Sequence, residues 1–449
     1  MEFLWTDRCL LGVLFISLAL TLIGLRKKHI RRVFSQILHQ PLAVSAGVIL
    51  LFFLTIAILD SIHLSSSVTE EESEMVTSQS DSILDRLMAP LDTTFEKTYS
   101  APLSLHLYSI ETVLVDGKAQ QIYPRLDYPA ITLKNNSDKY RYIKKSSYQA
   151  LACSFLLVAL LWFCTIGVKW YLSGHFNVTL TPSGLSALIT CFLCFFIVFA
   201  SYWLSRELHL LGTGKIGQDI YYYTVKSIRT GLVIGILTTL FMLPLALLAG
   251  ITAGYFGGMI DDIIQYIYTT LSSIPGVLLI TASVLSMQTY IANHPQQFAT
   301  LDKSADARLL ALCLILGVTS WTSLCRLLRA ETLKLREIDY VTAARALGSS
   351  SFTIIRKHLL PNVMHIVVIT LVLDFSFLVL AEAVLSYVGV GVSPTTISWG
   401  NMINGARLEL AREPVVWWPI MAAFGCMFIL VLASNLFADA VRDAFDPHH

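Results

Sequence analysis

Nine stretches of this 449-residue sequence are apolar over about the thickness of a bilayer core: Cys9–Leu25, Leu42–Leu59, Gln149–Tyr171, Gly184–Leu204, Thr230–Gly254, Ile263–Ile291, Leu309–Leu328, Val363–Leu385 and Val415–Ala438. Hydrocarbon offers no water to peptide N–H and C=O groups, so about 20 apolar residues in a row must coil into a helix that satisfies its own backbone. The chain is 55% hydrophobic and only 14% charged, too few polar side chains to cover a soluble protein of this length. The expected fold class is an all-α polytopic membrane protein.

Orientation follows from the placement of Lys and Arg, because short basic loops stay cytoplasmic. Between Cys325 and His358, Arg326, Arg329, Lys334, Arg336, Arg345, Arg356 and Lys357 outnumber Glu331, Glu337 and Asp339, which places that connection inside. Counting spans in both directions puts the block Arg26, Lys27, Lys28, Arg31, Arg32 inside too, together with the C-terminus and Arg442. Lys134, Lys139, Arg141, Lys144 and Lys145 then fall outside, in a loop long enough for the rule to weaken. That loop, Ser61–Ser147, holds Glu70, Glu71, Glu72 and Glu74, then short apolar pieces such as Thr112–Val115. It reads either as a small, partly ordered extracytoplasmic segment or as a solvated linker. The first run is short and could be taken for a signal sequence, but its positive block follows the apolar stretch, which favours an uncleaved helix with its N-terminus outside.

Soluble chemistry leaves no signature. Gly212-Thr213-Gly214-Lys215 lacks the upstream glycine of a phosphate loop and has Ile216 where Ser or Thr should follow. Histidines at 209, 294, 358 and 365 form no HExxH pair. The eight cysteines lie in or beside apolar runs, and Cys191 with Cys194 has CxxC spacing without a second pair, so packing is expected rather than a metal or disulfide framework. No cofactor, metal or nucleic-acid partner is expected.

The most informative segment is Asp339-Tyr340-Val341-Thr342-Ala343-Ala344-Arg345-Ala346-Leu347-Gly348, followed by Ser349–Lys357 and His358-Leu359-Leu360-Pro361-Asn362. Glu331–Leu347 consists of good helix formers, Gly348 with Ser349, Ser350 and Ser351 suits a C-cap followed by an N-cap, and Pro361 suits the first turn of the next span. Two alanines, then glycine, then Leu-Pro about a dozen residues on, resembles the coupling loop of permease subunits of ATP-binding-cassette importers. His358 is similar to the dipeptide/oligopeptide/nickel branch, whereas Thr342 stands where the family usually has Glu.

Other segments extend the resemblance from about His209 to the end. They are Leu211-Gly212-Thr213 with Gly217 and Asp219; Ala253-Gly254-Tyr255-Phe256-Gly257-Gly258 with Asp261; Ile274-Pro275-Gly276; Ala381–Val392; Ser398–Met402; and Arg442-Asp443-Ala444-Phe445-Asp446-Pro447. The resemblance is to the second, C-type permease of such systems and implies a type I importer transmembrane domain of about six core helices, with about three extra. On that reading residues 1–40 are an extra helix and basic segment, 41–64 the first core helix, 65–147 an extracytoplasmic loop, 148–208 an inserted helix pair, and 209–449 the core, with coupling loop 329–361.

The resemblance implies a bacterial cytoplasmic-membrane subunit, itself non-catalytic, that moves peptides or a related small solute by alternating access. Its implied partners are a second homologous permease, two ABC ATPase subunits, an extracytoplasmic solute-binding protein and membrane lipid. The implied coupling residues are Tyr340, Val341, Thr342, Ala343, Ala344, Leu347, Gly348, His358 and Pro361, with Tyr340, Val341 and Leu347 exposed. Asp374 and Glu382 lie eight residues apart on one span, within about 80° of the same face, and are candidate pathway acids because an acid facing lipid would cost roughly 2.5–3.5 kcal/mol; the alternative for Glu382 is that it only caps or packs near the outer end. Two other classes compete. A secondary transporter or channel would draw on spans broken at Pro244 and Pro275, and a membrane enzyme would need a polar constellation that the sequence does not offer.

Overall fold

The computed structural model describes residues 4–24, 26, 28–64, 81–92, 95–115, 118–128, 133, 135–173, 181–294, 296, 298 and 301–445. The N-terminal part comprises α1 (Trp5–Gly24), α2 (Lys28–His39) and α3 (Pro41–Ser61), then β1 (His63–Leu64), β2 (Asp81–Ser82), α4 (Ile83–Leu87), α5 (Ala89–Asp92), β3 (Glu111–Val115) and β4 (Lys118–Ile122). Next come α6 (Asn136–Ser173), α7 (Pro182–Leu204), α8 (Ile220–Phe256), α9 (Gly258–Ser273), α10 (Gly276–Asn293) and α11 (Leu301–Arg336). The last part contains α12 (Asp339–Ala346), α13 (Ser351–Ile354), a π-helical turn (Ile355–Leu359), α14 (Leu360–Val388), α15 (Trp399–Ala406), a 3₁₀ turn (Arg407–Ala411) and α16 (Trp418–Phe445). Glu70–Glu74, Lys134 and the final Asp446-Pro447 lie outside the described residues.

Among the described residues, nine helices are long and apolar enough to cross a membrane. The sixth apolar run, Ile263–Ile291, is divided between α9 and α10, and only α10 qualifies. Ile274 is extended at φ −83°, ψ 130°, as the residue before a proline prefers. Pro244, by contrast, does not break its span: α8 runs through it from Ile220 to Phe256. The surroundings explain the difference. Residues 272–278 are exposed, whereas Met242 and Ala246, on either side of an exposed Pro244, are buried against Leu324 and Leu328 of α11.

In lipid, apolar burial drives little helix association, and close approach of small residues does more. A Cβ on Gly250 would meet Leu328 Cβ at 2.8 Å, one on Gly254 would meet Thr332 Cβ at 2.6 Å, and one on Gly317 would meet Phe241 Cβ at 2.7 Å. α8 and α11 therefore cross at near-backbone contact along a small-xxx-small seam.

The chain forms two compact units: Ser35–Thr230 with Ile397–Ala433, and Phe3–Phe34 with Gly231–Thr396 and Ser434–His449. In the first, α7 packs against both α3 and α6. Ser186 Oγ donates to Pro41 O at 3.0 Å, and Tyr142 OH donates to Trp203 O at 2.6 Å. The starts of α3 and α7 thus share one side, and the start of α6 shares the other with the end of α7, as alternating spans require.

Residues 95–128 dock on the 205–219 connection of the same unit. Ser100 N donates to Thr213 Oγ1 at 2.6 Å, Thr213 Oγ1 donates to Thr98 O at 2.8 Å, and Trp418 Nε1 donates to Thr213 O at 3.0 Å. Gly217, at φ +78°, lies so close to the Glu96 backbone that a Cβ there would overlap the Glu96 carbonyl. His209 is fully buried there, its Nδ1 2.6 Å from Asp219 Oδ2 and its Nε2 3.7 Å from Glu96 Oε1. The second distance is beyond hydrogen-bond reach, so Glu96 acts as a charge partner. Burial alone would lower the imidazole pKa, but the Asp219 hydrogen bond and the two carboxylates push it up to about 9.

In the second unit, α1 is built into the packing. Trp5 N and Thr6 N donate to Asp306 Oδ2 at 2.8 and 3.2 Å, and Thr6 Oγ1 bonds the other carboxylate oxygen. A carboxylate from α11 thereby caps the first turn of α1, where orphan N–H groups and the helix dipole both favour an anion. Leu10 is buried in a cluster with Val233, Leu237, Leu312 and Leu316. The N-terminal ends of α1 and α11 share a side, in keeping with an N-out first span.

Candidate functional site

The connection between α11 and α14 is one packed structure. α11 stops at Arg336, and Ile338, extended at ψ 144°, separates it from α12. The single helix expected over Glu331–Leu347 is therefore two. Asp339 in the first turn of α12 complements that new helix end.

α12 ends as its sequence predicts. Gly348 adopts φ +76°, its N–H donates to Arg345 O at 3.0 Å, and Ser349 N donates to Ala344 O at 3.1 Å. This pair of bonds is the Schellman arrangement that a left-handed glycine permits. Ser350 then caps α13 by accepting from Thr353 N at 3.4 Å.

Pro361 does not start a fresh helix. The helical body runs from Ser351 to Val388, and the turn before the proline is widened to π geometry, with Leu360 N–H reaching Ile355 O. Proline removes a donor and crowds the carbonyl four residues earlier, and a π turn relieves both.

Burial sorts the expected coupling residues. Leu347 is 87% exposed and Tyr340 42%, and Thr342, Ala343 and Gly348 are also exposed. Val341, expected at the surface, is completely buried with Ile354, Leu359 and Val363, because helical periodicity turns it inward from Tyr340. Ala344 is half-buried against the same cluster. His358 is half-buried with its ring 5.9 Å from that of Tyr340, and Asn362 Nδ2 donates both to Tyr340 OH and to His358 O at 2.7 Å. The Thr342 hydroxyl donates to Asp339 O at 2.9 Å, so it folds back onto its own helix.

The base of the loop is clamped by charge. Gly257 and Gly258, at φ +65° and +55°, turn the chain from α8 into α9 and bring Asp261 to the Arg329 guanidinium, with Nη2 to Oδ2 at 2.7 Å and Nε on Oδ1. That hydrogen-bonded pair holds the Asp261 carboxyl below the usual carboxylate range. Arg336 Nη1 reaches the Gly254 and Tyr255 carbonyls at 3.4 and 3.5 Å, and the Arg345 guanidinium lies 5.5 Å over the Tyr255 ring.

One surface residue escaped the sequence reading. Phe352, on α13, is 71% exposed. The available signal was an aromatic outside every span, between three serines and the pair Arg356-Lys357.

Residues 246–448, which contain this whole loop, match the family of binding-protein-dependent transport system inner membrane components. The chain is 31% identical over 240 residues to the glutathione transport system permease protein GsiD of Pectobacterium atrosepticum, an alignment covering 53% of this chain and 72% of that protein. It belongs to the peptide-permease family of ABC importers. The dipeptide transport system permease protein DppC of Bacillus subtilis is 27% identical over 318 residues, 70% of this chain and 87% of that protein. The oligopeptide transport system permease protein OppC of Mycobacterium tuberculosis is 29% identical over 239 residues, 53% of this chain and 76% of that protein. The fold is accordingly that of a type I ABC importer transmembrane domain, in a multi-pass protein of the inner membrane.

The two acids of this permease's α14 differ. Glu382 is buried and accepts from Ser386 Oγ at 2.7 Å, one turn away. Asp374 is half-buried and makes no hydrogen bond or ion pair with a described residue. Cys191 and Cys194 are free thiols on α7, and no metal-binding group of side chains occurs among the described residues.

Proposed function

We propose that the chain is one of two paired permease subunits of a peptide importer, and that the α12–α13 loop is the docking element for a separate ATPase. The observation that carries this reading is the exposed apolar edge of Leu347 and Phe352 on a loop whose interior is packed and clamped. Unpaired apolar surface outside the membrane usually marks a protein partner. Closure of two bound ATPases pulls the loops of the two permeases together. The buried core of Val341, Ile354 and Leu359 passes that displacement to α14 as a rigid body, opening the pathway outward to a solute-binding protein. Peptides are the solute class that the relatives' names favour, and Asp374 is the pathway residue proposed to meet them.

Mild detergent extraction tests this directly. The chain is expected to be recovered with a second permease and two ATPase subunits, and to hydrolyse no ATP alone. Leu347→Asp should release the ATPases while leaving the permease pair together. Ala343→Asp should act the same way, whereas Ala344→Asp would also disturb the loop's own packing. Transport by the single purified chain in liposomes, driven by an ion gradient alone, would replace this reading with a secondary transporter.

A further inference from the structure

α2 has two sharply segregated faces. At about 100° per residue, Val33, Phe34, Ile37 and Leu38 fall on one arc, and Arg31, Arg32, Ser35, Gln36 and His39 on the other. Protein covers only part of the apolar arc. Val33 is buried and Ile37 half-buried, but Phe34 is 41% and Leu38 57% exposed.

Chain connectivity fixes what lies beside them. Only residues 25–27 separate α2 from the span α1, and only Gln40 separates it from the span α3. Both ends of this 12-residue helix are therefore tied to the same bilayer face, and its axis must run along that face. The lipid boundary is the medium within reach of Phe34 and Leu38.

The charge on the opposite arc is unmatched. No Asp or Glu occurs between Arg8 and Asp60, and the exposed Arg31 and Arg32 make no ion pair with any described residue. Arg31 and Arg32 form a basic pair at headgroup level, next to an apolar edge of acyl-chain depth, and the sequence just before them adds Arg26, Lys27 and Lys28. A helix of this composition lies in the interface and is drawn to acidic lipid.

We propose that α2 is a binding helix for anionic phospholipid of the cytoplasmic leaflet, with Phe34 and Leu38 inserted among acyl chains and Arg31 and Arg32 on the phosphate groups. The inference does not depend on the transport reading, since a chain that bound no ATPase would still show it.

Amide hydrogen exchange on the full chain in nanodiscs tests it, comparing phosphatidylcholine alone with phosphatidylcholine plus phosphatidylglycerol. Each arginine near an anionic surface is worth about fivefold in binding, so exchange over 31–39 should slow by up to about 25-fold when phosphatidylglycerol is present. High salt should shrink the difference. Arg31→Gln with Arg32→Gln should abolish it while exchange in α14 stays unchanged. Phe34→Ser with Leu38→Ser should speed exchange in both lipids. If the arginine variant misfolds, as α14 exchange would report, the wild-type comparison at low and high salt decides. Equal exchange of the wild type in the two lipids overturns the proposal, as does an arginine variant that keeps the full lipid dependence. Inorganic phosphate that reproduces the protection in phosphatidylcholine alone would mark a bare anion site and overturn the lipid assignment.

Discussion

Replacing Gly348 by valine should uncouple the loop without unfolding the permease. The cost can be read from the geometry: a Cβ at Gly348 would meet nothing within 4 Å, so sterics with the rest of the protein contribute nothing and the penalty is conformational. A left-handed residue other than glycine costs about 1–2 kcal/mol, with the β-branched residues at the upper end. If the backbone instead leaves φ +76°, the bonds Gly348 N–H to Arg345 O and Ser349 N–H to Ala344 O are lost, at about 1 kcal/mol each. Either route costs about 2 kcal/mol, which lowers the population of the docking geometry about 30-fold. Uptake by cells, measured beside membrane insertion and ATPase co-purification, is the assay. Gly348→Val should insert normally and lose uptake, while Gly348→Asn, which tolerates the left-handed region, should keep most of it. Wild-type uptake by Gly348→Val, or equal loss in both variants, would refute the reasoning.

Three further outcomes are expected. His209 has a folded pKa of about 9 against an ordinary 6.5; because it is raised, its contribution of about 3 kcal/mol is complete below pH 6.5 and disappears as pH rises through 9. Thermal unfolding of the detergent-purified chain should therefore fall between pH 7 and 10, and His209→Gln should flatten that dependence. Gly254→Val must part α8 from α11, since its Cβ would sit 2.6 Å from Thr332 Cβ; a loss of about 1–3 kcal/mol in thermal stability is expected, whereas Gly405→Ala, in open space, should change little. Asp374→Asn should alter uptake or solute preference with stability unchanged; unchanged transport would remove Asp374 from the pathway.

The sequence by itself determined the nine apolar runs and the caps on either side of Gly348. Apolar length is a property of each segment alone, and Gly348 and Ser350 act on backbone groups within a few residues of themselves, so their roles could be read before any packing was known. The family resemblance was legible for the same reason, as an ordered string of local motifs. What only the tertiary structure decided depends on neighbours distant in sequence. Pro244 and Pro275 are the same residue in similar apolar runs, yet only the second ends a helix: Met242 and Ala246 on either side of Pro244 are buried against Leu324 and Leu328 of α11, whereas residues 272–278 are all exposed. Val341 and Leu347 read alike as apolar loop residues, yet one is interior and the other surface, because Ile354, Leu359 and Val363 close over one side of α12. Asp261 was visible as part of a motif, but its partner Arg329 lies on another helix. Segment 95–128 gave no local signal strong enough to distinguish order from a linker, since its stability comes from hydrogen bonds to Thr213 and from the close backbone approach at Gly217. Those contacts span more than a hundred residues of sequence, and a long-range pairing of that kind is fixed by the folded arrangement rather than by the preferences of either segment.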